Sequence, residues 1–160
     1  MKINKKGVFA LVCAVLMLAL CACGGSSGKT SDGYLTTEEF EKKAEKSGLT
    51  VPAFNNAVAP GLSDSSIVVK ADGSKVLWQV EYYLFNNEES AVASYDLNKT
   101  NFEKDGGTGT TTEADGKVKY EIKNAGKFRY MCRIGRTFMY LDVEEKYESE
   151  AKAFVNKVGY

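Results

Sequence analysis

The 160-residue chain contains no histidine, only two prolines and one tryptophan, and no surplus of charge, with 21 basic against 21 acidic residues. Without histidine it lacks the side chain that titrates nearest neutral pH and the commonest zinc ligand. Ser-His-Asp and Cys-His hydrolases are thereby excluded. A nucleic-acid partner is excluded as well, because binding a phosphate backbone needs a basic excess that is missing here. Cysteine is scarce where it would matter to a fold. Cys13, Cys21 and Cys23 crowd the first 23 residues, and Cys132 stands alone in the rest of the chain. One thiol makes no internal disulfide, so the fold must rest on its core. Cys132 lies in an alternating apolar pattern and is expected to be a small buried hydrophobe rather than a reactive thiol.

What is present begins with an address. Lys2, Lys5 and Lys6 open the chain, and residues 7–22 then carry no charge. This is the layout of an export signal, and the apolar run is shorter than the roughly 20 residues of a spanning helix. The run ends in Leu20-Cys21-Ala22-Cys23, followed by Gly24-Gly25-Ser26-Ser27-Gly28. Leu20, Ala22 and Cys23 resemble the lipobox of bacterial lipoproteins: a large aliphatic residue three places before the cysteine and a small one just before it. Cys21 occupies the second position, where small or aliphatic residues are commoner, and the bulk of Leu20 argues against cleavage before Cys21 itself. The resemblance implies diacylglycerol on Cys23, cleavage between Ala22 and Cys23, and a lipid-anchored protein on the outer side of the cell membrane.

The expected division is a signal peptide over 1–22, a flexible Gly/Ser tether over 23–33 and one domain over 34–160. Cleavage would leave 160 − 22 = 138 residues and, since three lysines and no acid depart, 18 basic against 21 acidic groups. That is an ordinary size for one domain and too short for a two-lobed solute receptor.

Thr36 and Glu39 have capping-box spacing and Leu35 can staple onto Phe40, which predicts a helix with Phe40 and Ala44 on one face and a stop at Gly48. A short extended piece over 49–54 and a loop over 55–66 follow. Strands are predicted over 67–71 and 76–85, joined through Asp72-Gly73-Ser74-Lys75. A second helix, capped at Asn86, would carry Ala91, Tyr95, Asn98 and Phe102 inward with Val92 beside them and end near Asp105. Residues 106–116 read as a soft loop. Strands over 117–123, 128–134 and 137–143 then meet through Asn124-Ala125-Gly126 and the two-residue turn Gly135-Arg136. Tyr147, Ala151, Phe154, Val155 and Val158 mark a last amphipathic helix. The expected class is α+β, order αββαβββα: a mostly antiparallel sheet of about five strands with helices packed on one face. The plan is similar to many small lipoproteins of Gram-positive bacteria that lack an assigned activity.

Motifs of catalysis are weak. Ser74-Lys75 and Ser47 near Lys46 are chance neighbours on a turn and a helix, and Glu38/Glu39 and Glu144/Glu145 suit helix starts, where carboxylates meet the positive end of the dipole. Gly106-Gly107-Thr108-Gly109 lacks the Lys-Ser/Thr of a phosphate loop, and Asp64, Asp72, Asp105 and Asp115 have no calcium-loop spacing. No cofactor or metal is called for. With Val118, Tyr120, Ile122, Phe128, Tyr130, Cys132 and Ile134 turned toward the helices, the opposite sheet face would be open. It would show Tyr83, Phe85, Lys119, Lys123, Arg129, Met131, Arg133, Phe138 and Tyr140. Its candidate binding residues are Tyr83, Phe85, Arg129, Arg133 and Tyr140, a mixture of arginine and aromatics common in recognition faces. Two functions from different classes follow. One is a non-catalytic binding or accessory lipoprotein engaging a cell-surface protein or a cell-wall polymer. The other is a histidine-independent hydrolase or transferase at the cell surface. A deep pocket with converging polar groups would favour the enzyme and a broad face the binder.

Overall fold

A computed structural model describes residues 34–53 and 61–160. The expected signal peptide, Cys23 and the tether lie outside the described residues, as do 54–60. Helix α1 (Thr37–Glu45) starts on the expected capping box: the Glu39 amide donates to Thr36 Oγ1 (3.2 Å) and the Thr36 amide donates to the Glu39 carboxylate (2.9 Å). It stops at Gly48, whose φ of +78° only glycine adopts cheaply. Strands β1 (Leu62–Asp72) and β2 (Lys75–Phe85) form a hairpin through Gly73-Ser74. Helix α2 (Glu88–Glu103) is capped one residue later than expected, by Asn87, which accepts from the Ser90 amide (2.8 Å). Strands β3 (Thr110–Ala114), β4 (Lys117–Asn124), β5 (Lys127–Ile134) and β6 (Thr137–Glu144) follow, each joined to the next by a two-residue turn. One 3₁₀ turn (Glu145–Tyr147) leads into α3 (Glu148–Val158), closed by left-handed Gly159.

The six strands make one antiparallel sheet in the order β1-β2-β6-β5-β4-β3. The class is α+β and the element order is the expected one with a strand added. That strand is β3, inside the predicted loop: Thr110, Thr111, Thr112, Glu113 and Ala114 are exposed on both faces, so no apolar alternation betrayed it. β1 also begins earlier than expected, at Leu62.

The helices do not share one face. α1 and α3 cover one side of the sheet over Val68, Trp78, Val80, Tyr82, Phe128, Tyr130, Cys132, Met139, Leu141 and Val143. There Phe154 meets the edges of Phe40 and Trp78, each at 6.1 Å between centroids. α2 is the crossover from β2 to the far edge strand β3 and covers the other side, over Phe85, Tyr120, Ile122, Met131, Phe138 and Tyr140. The reason lies in the two central strands. β5 and β6 are apolar on both phases, through Tyr130-Met131-Cys132 and Phe138-Met139-Tyr140-Leu141, and burying both faces is worth roughly 1.5–3 kcal/mol per large side chain.

The phase expected across β4 and β5 is also corrected. The turn Ala125-Gly126 pairs Asn124 with Lys127, so paired positions sum to 251 and even residues of β4 share a face with odd residues of β5. Val118, Tyr120 and Ile122 therefore stand with Arg129, Met131 and Arg133 under α2, while Lys119 and Lys123 stand with Phe128, Tyr130 and Cys132 on the α1/α3 side.

Candidate functional site

The five residues expected to form an open binding face share the side that α2 covers, so that face is closed. Phe85, Arg129 and Tyr140 are buried, while Tyr83 and Arg133 are half-buried. Tyr83 lies over Phe138 and Tyr140 (6.2 and 6.3 Å), and α2 sets Tyr95 and Phe102 edge-on against Phe138 and Tyr140 (6.3 and 6.1 Å). The arginines are fasteners rather than hands. Arg129 Nε donates to Asp142 (3.0 Å), Nη2 to Asp105 (2.7 Å) and Nη1 to the Asn124 side chain, while its guanidinium lies over Phe102 (5.5 Å). The sheet is thus clamped to the end of α2. Arg133 Nη1 donates to Glu88 (2.6 Å) at the start of the same helix. The sequence placed the group on one face but could not show that α2 would land on it.

Glu81, which the sequence reading passed over, lies among these rings and is 8 % exposed. It accepts from Gln79 Nε2 (2.9 Å) and from the Tyr83 hydroxyl, and its charge reaches Tyr140. Burial first and the Glu81 carboxylate second hold the Tyr83 and Tyr140 phenols far above their ordinary range. They are hydrogen-bond donors, not bases. The phase of β2 was the available signal, since Glu81 alternates with Gln79 and Tyr83.

The other groups that chemistry could have used are scattered over the surface or bound into structure. Ser74 and Lys75 are exposed around a hairpin turn, and Ser47 Oγ donates to the Lys43 carbonyl (2.7 Å) at the end of α1. Glu38 pairs with Lys42 (2.6 Å), Glu39 completes the capping box and Glu144 pairs with Lys146 (2.5 Å). Burial pushes the Cys132 thiol up to about 11, so it is a protonated core group near neutral pH. No group of three or more metal-ligating side chains is found among the described residues.

One recess among the described residues lies where the chain enters the domain. A cleft of about 390 Å³ is lined by Leu35, Lys43, Asp115, Lys117, Ile134 and Tyr160, among others. It is built at the end of α3. Gly159 turns Tyr160 inward, where its hydroxyl lies 2.9 Å from that of Tyr82 and 2.6 Å from Thr137 Oγ1. Burial pushes the Tyr160 phenol up to about 12, which keeps this run of hydroxyls neutral. Around it the cations converge on main-chain oxygens: Lys43 Nζ on Val158 (3.2 Å), Lys117 Nζ on Gly159 (2.7 Å) and Lys119 Nζ on Tyr160 (3.5 Å). Such lysines complement the negative end of a helix. An ammonium held this way keeps further donors for an anion. A second recess, shallow and open, lies on the outer side of α2 along Asn87, Glu88, Glu89, Val92 and Asp96.

No protein-family model matches this chain, and no curated protein matches it.

Proposed function

We propose that the protein is a lipoprotein held by lipid on Cys23 at the outer side of the cell membrane, acting as a non-catalytic binding or accessory protein toward a cell-surface protein or a cell-wall polymer. The observation that carries the reading is the run Leu20-Cys21-Ala22-Cys23 behind a lysine-rich start and sixteen uncharged residues, 7–22. The bonds that hold Ser47, Glu38, Glu39 and Glu144, and the raised phenols of Tyr83, Tyr140 and Tyr160, support a binding rather than a catalytic role. No described helix is long and apolar enough to cross a membrane, and in this reading the lipid on Cys23 is the anchor. Two acyl chains would supply it, each buried methylene contributing about 0.8 kcal/mol where a single chain holds only marginally.

The test is metabolic labelling with a tagged fatty acid. Wild type and Cys21→Ser should carry the label and be cut before Cys23, whereas Cys23→Ser should remain unlabelled and uncut. Label that survives in Cys23→Ser and disappears in Cys21→Ser would overturn both the cleavage site and the choice of cysteine. Affinity capture from intact cells with the labelled protein then identifies what it holds.

A further inference from the structure

We propose that the end of the domain where the chain enters is a docking surface for anionic phospholipid headgroups, with Lys43, Lys117, Lys119 and Arg136 as the contacting cations. The inference rests on the anchor at Cys23 proposed above and adds how the domain sits on the membrane.

Three observations converge. First, the cations collect around the entry point. Arg136 Nε reaches the Tyr34 hydroxyl and its guanidinium lies over the Tyr34 ring (5.5 Å), while Lys43 and Lys117 flank Leu35 in the cleft. Lys119 and Lys157 reach the main-chain oxygens of Tyr160 (3.5 Å) and Lys46 (3.0 Å) beside them. Second, the ion pairs among the described residues are made by other cations: Lys42, Lys70, Lys123, Lys127, Arg129, Arg133, Lys146 and Lys152. Lys43, Lys117, Lys157 and Arg136 spend their donors on main-chain carbonyls and a phenol, so contact with a side-chain carboxylate does not cancel their charge, and Asp115 is the one acidic side chain lining the cleft. In a cleaved chain of 18 basic against 21 acidic residues, that is a local surplus. Third, only ten residues, 24–33, lie between Cys23 and Tyr34. Covalent geometry limits them to about 40 Å even if fully extended. The entry end is therefore the end tied closest to the headgroups, within repeated reach of a field that decays over about 8 Å at physiological salt.

Each basic residue near an anionic surface multiplies the surface-bound population by roughly fivefold. Four of them convert a domain that swings on its anchor into one seated on the bilayer with its entry end down. A free phosphate offers the same chemistry but has no reason to lie at the anchored end, so the occupant argued here is the lipid surface.

The test uses the full-length protein produced in a bacterial host, its lipid verified by mass, in vesicles of phosphatidylcholine alone or mixed equally with phosphatidylglycerol. Amide hydrogen exchange is followed at the turns Asp115-Gly116 and Gly135-Arg136. Exchange at these turns should slow several-fold in the phosphatidylglycerol vesicles at low salt and recover at high salt. The protection should vanish in Lys43→Gln/Lys117→Gln/Lys119→Gln and persist in Lys43→Arg/Lys117→Arg/Lys119→Arg, with β5 and β6 amides reporting that both variants are folded. Equal exchange in the two vesicle types overturns the proposal. So does equal protection by inorganic phosphate in phosphatidylcholine vesicles, which would mark a small-anion site. A product without lipid would sink the anchor reading by its mass. The same comparison would then be made on the chain bound through its uncleaved apolar start, and protection there would support docking by itself.

Discussion

Replacing Arg129 by alanine should cost the domain far more stability than replacing Arg133, although an open-face reading of the sequence makes the two equivalent. The Arg129 side chain is 8 % exposed and holds Asp142, Asp105 and Asn124 together above the ring of Phe102. Removing one partner of a fully buried ion pair costs about 3–5 kcal/mol, because the other charge is left desolvated. Here Asp142 and Asp105 retain 29 % and 54 % exposure, so water takes over part of the lost contact and we expect roughly 2–3 kcal/mol. Arg133 meets one carboxylate, Glu88, which is 62 % exposed, and its loss should cost at most about 1 kcal/mol. Urea unfolding followed by the fluorescence of buried Trp78 measures both. With a slope of about 1–3 kcal/mol per molar urea, the Arg129→Ala midpoint should fall by about 0.7–3 M. A cycle with Asp142→Ala should show coupling on the order of 1 kcal/mol. Equal midpoints for the two arginine variants, or no coupling to Asp142, would refute the clamp.

Other perturbations probe the core and the edge strand. Cys132 in the folded protein should resist thiol reagents at neutral pH, and rapid labelling of the native protein would contradict its burial. Its pKa is raised from 9.0 to about 11, so its contribution is complete below pH 9 and is lost as pH rises toward 11. The unfolding free energy read from urea should therefore fall across that window by an amount on the order of 2 kcal/mol, and the fall should be smaller in Cys132→Ala. Gly109→Ala would place a methyl 2.3 Å from the Tyr120 ring at the approach to β3, and should cost about 1–3 kcal/mol or release the edge strand, read by exchange at Thr110–Ala114. An unchanged midpoint with protected β3 amides would show that the ring moves aside freely.

The elements legible in the sequence were those whose pattern is local. The Thr36/Glu39 box, the Gly135-Arg136 turn and the α3 face of Ala151, Phe154, Val155 and Val158 need only neighbours within a few turns to be recognised, and the structure has each of them. β3 was illegible by hydropathy because both its faces meet water, yet the Asp115-Gly116 turn that precedes β4 is a strong hairpin signal, with positive φ at both residues. Thr110, Thr111 and Thr112 before it are β-branched, as a strand prefers. The candidate binding face failed for a nonlocal reason. Tyr83, Phe85, Arg129, Arg133 and Tyr140 do share a side, but where a crossover helix lands depends on strand order, which no local pattern encodes.

The phase between β4 and β5 shows which physical rule outranks hydropathy in a hairpin. Lys117–Asn124 alternates cleanly, and so does the run through Phe128, Tyr130 and Cys132, so assigning both apolar sets to one core satisfies each strand alone. A two-residue turn forbids it, because directly paired positions then differ in parity and must share a face. Given the turn, two apolar sets of equal parity must lie on opposite sides of the sheet. A sheet with an apolar set on each side requires a helix on each side. The turn at Ala125-Gly126 and the unbroken run Phe138-Met139-Tyr140-Leu141 thus independently require cover on both faces of the sheet, which the structure supplies with α2 on one and α1 and α3 on the other. The same parity carries Lys117 and Lys119 to the α1/α3 side, where they reach the end of α3. The basic entry surface is in this sense a consequence of turn length.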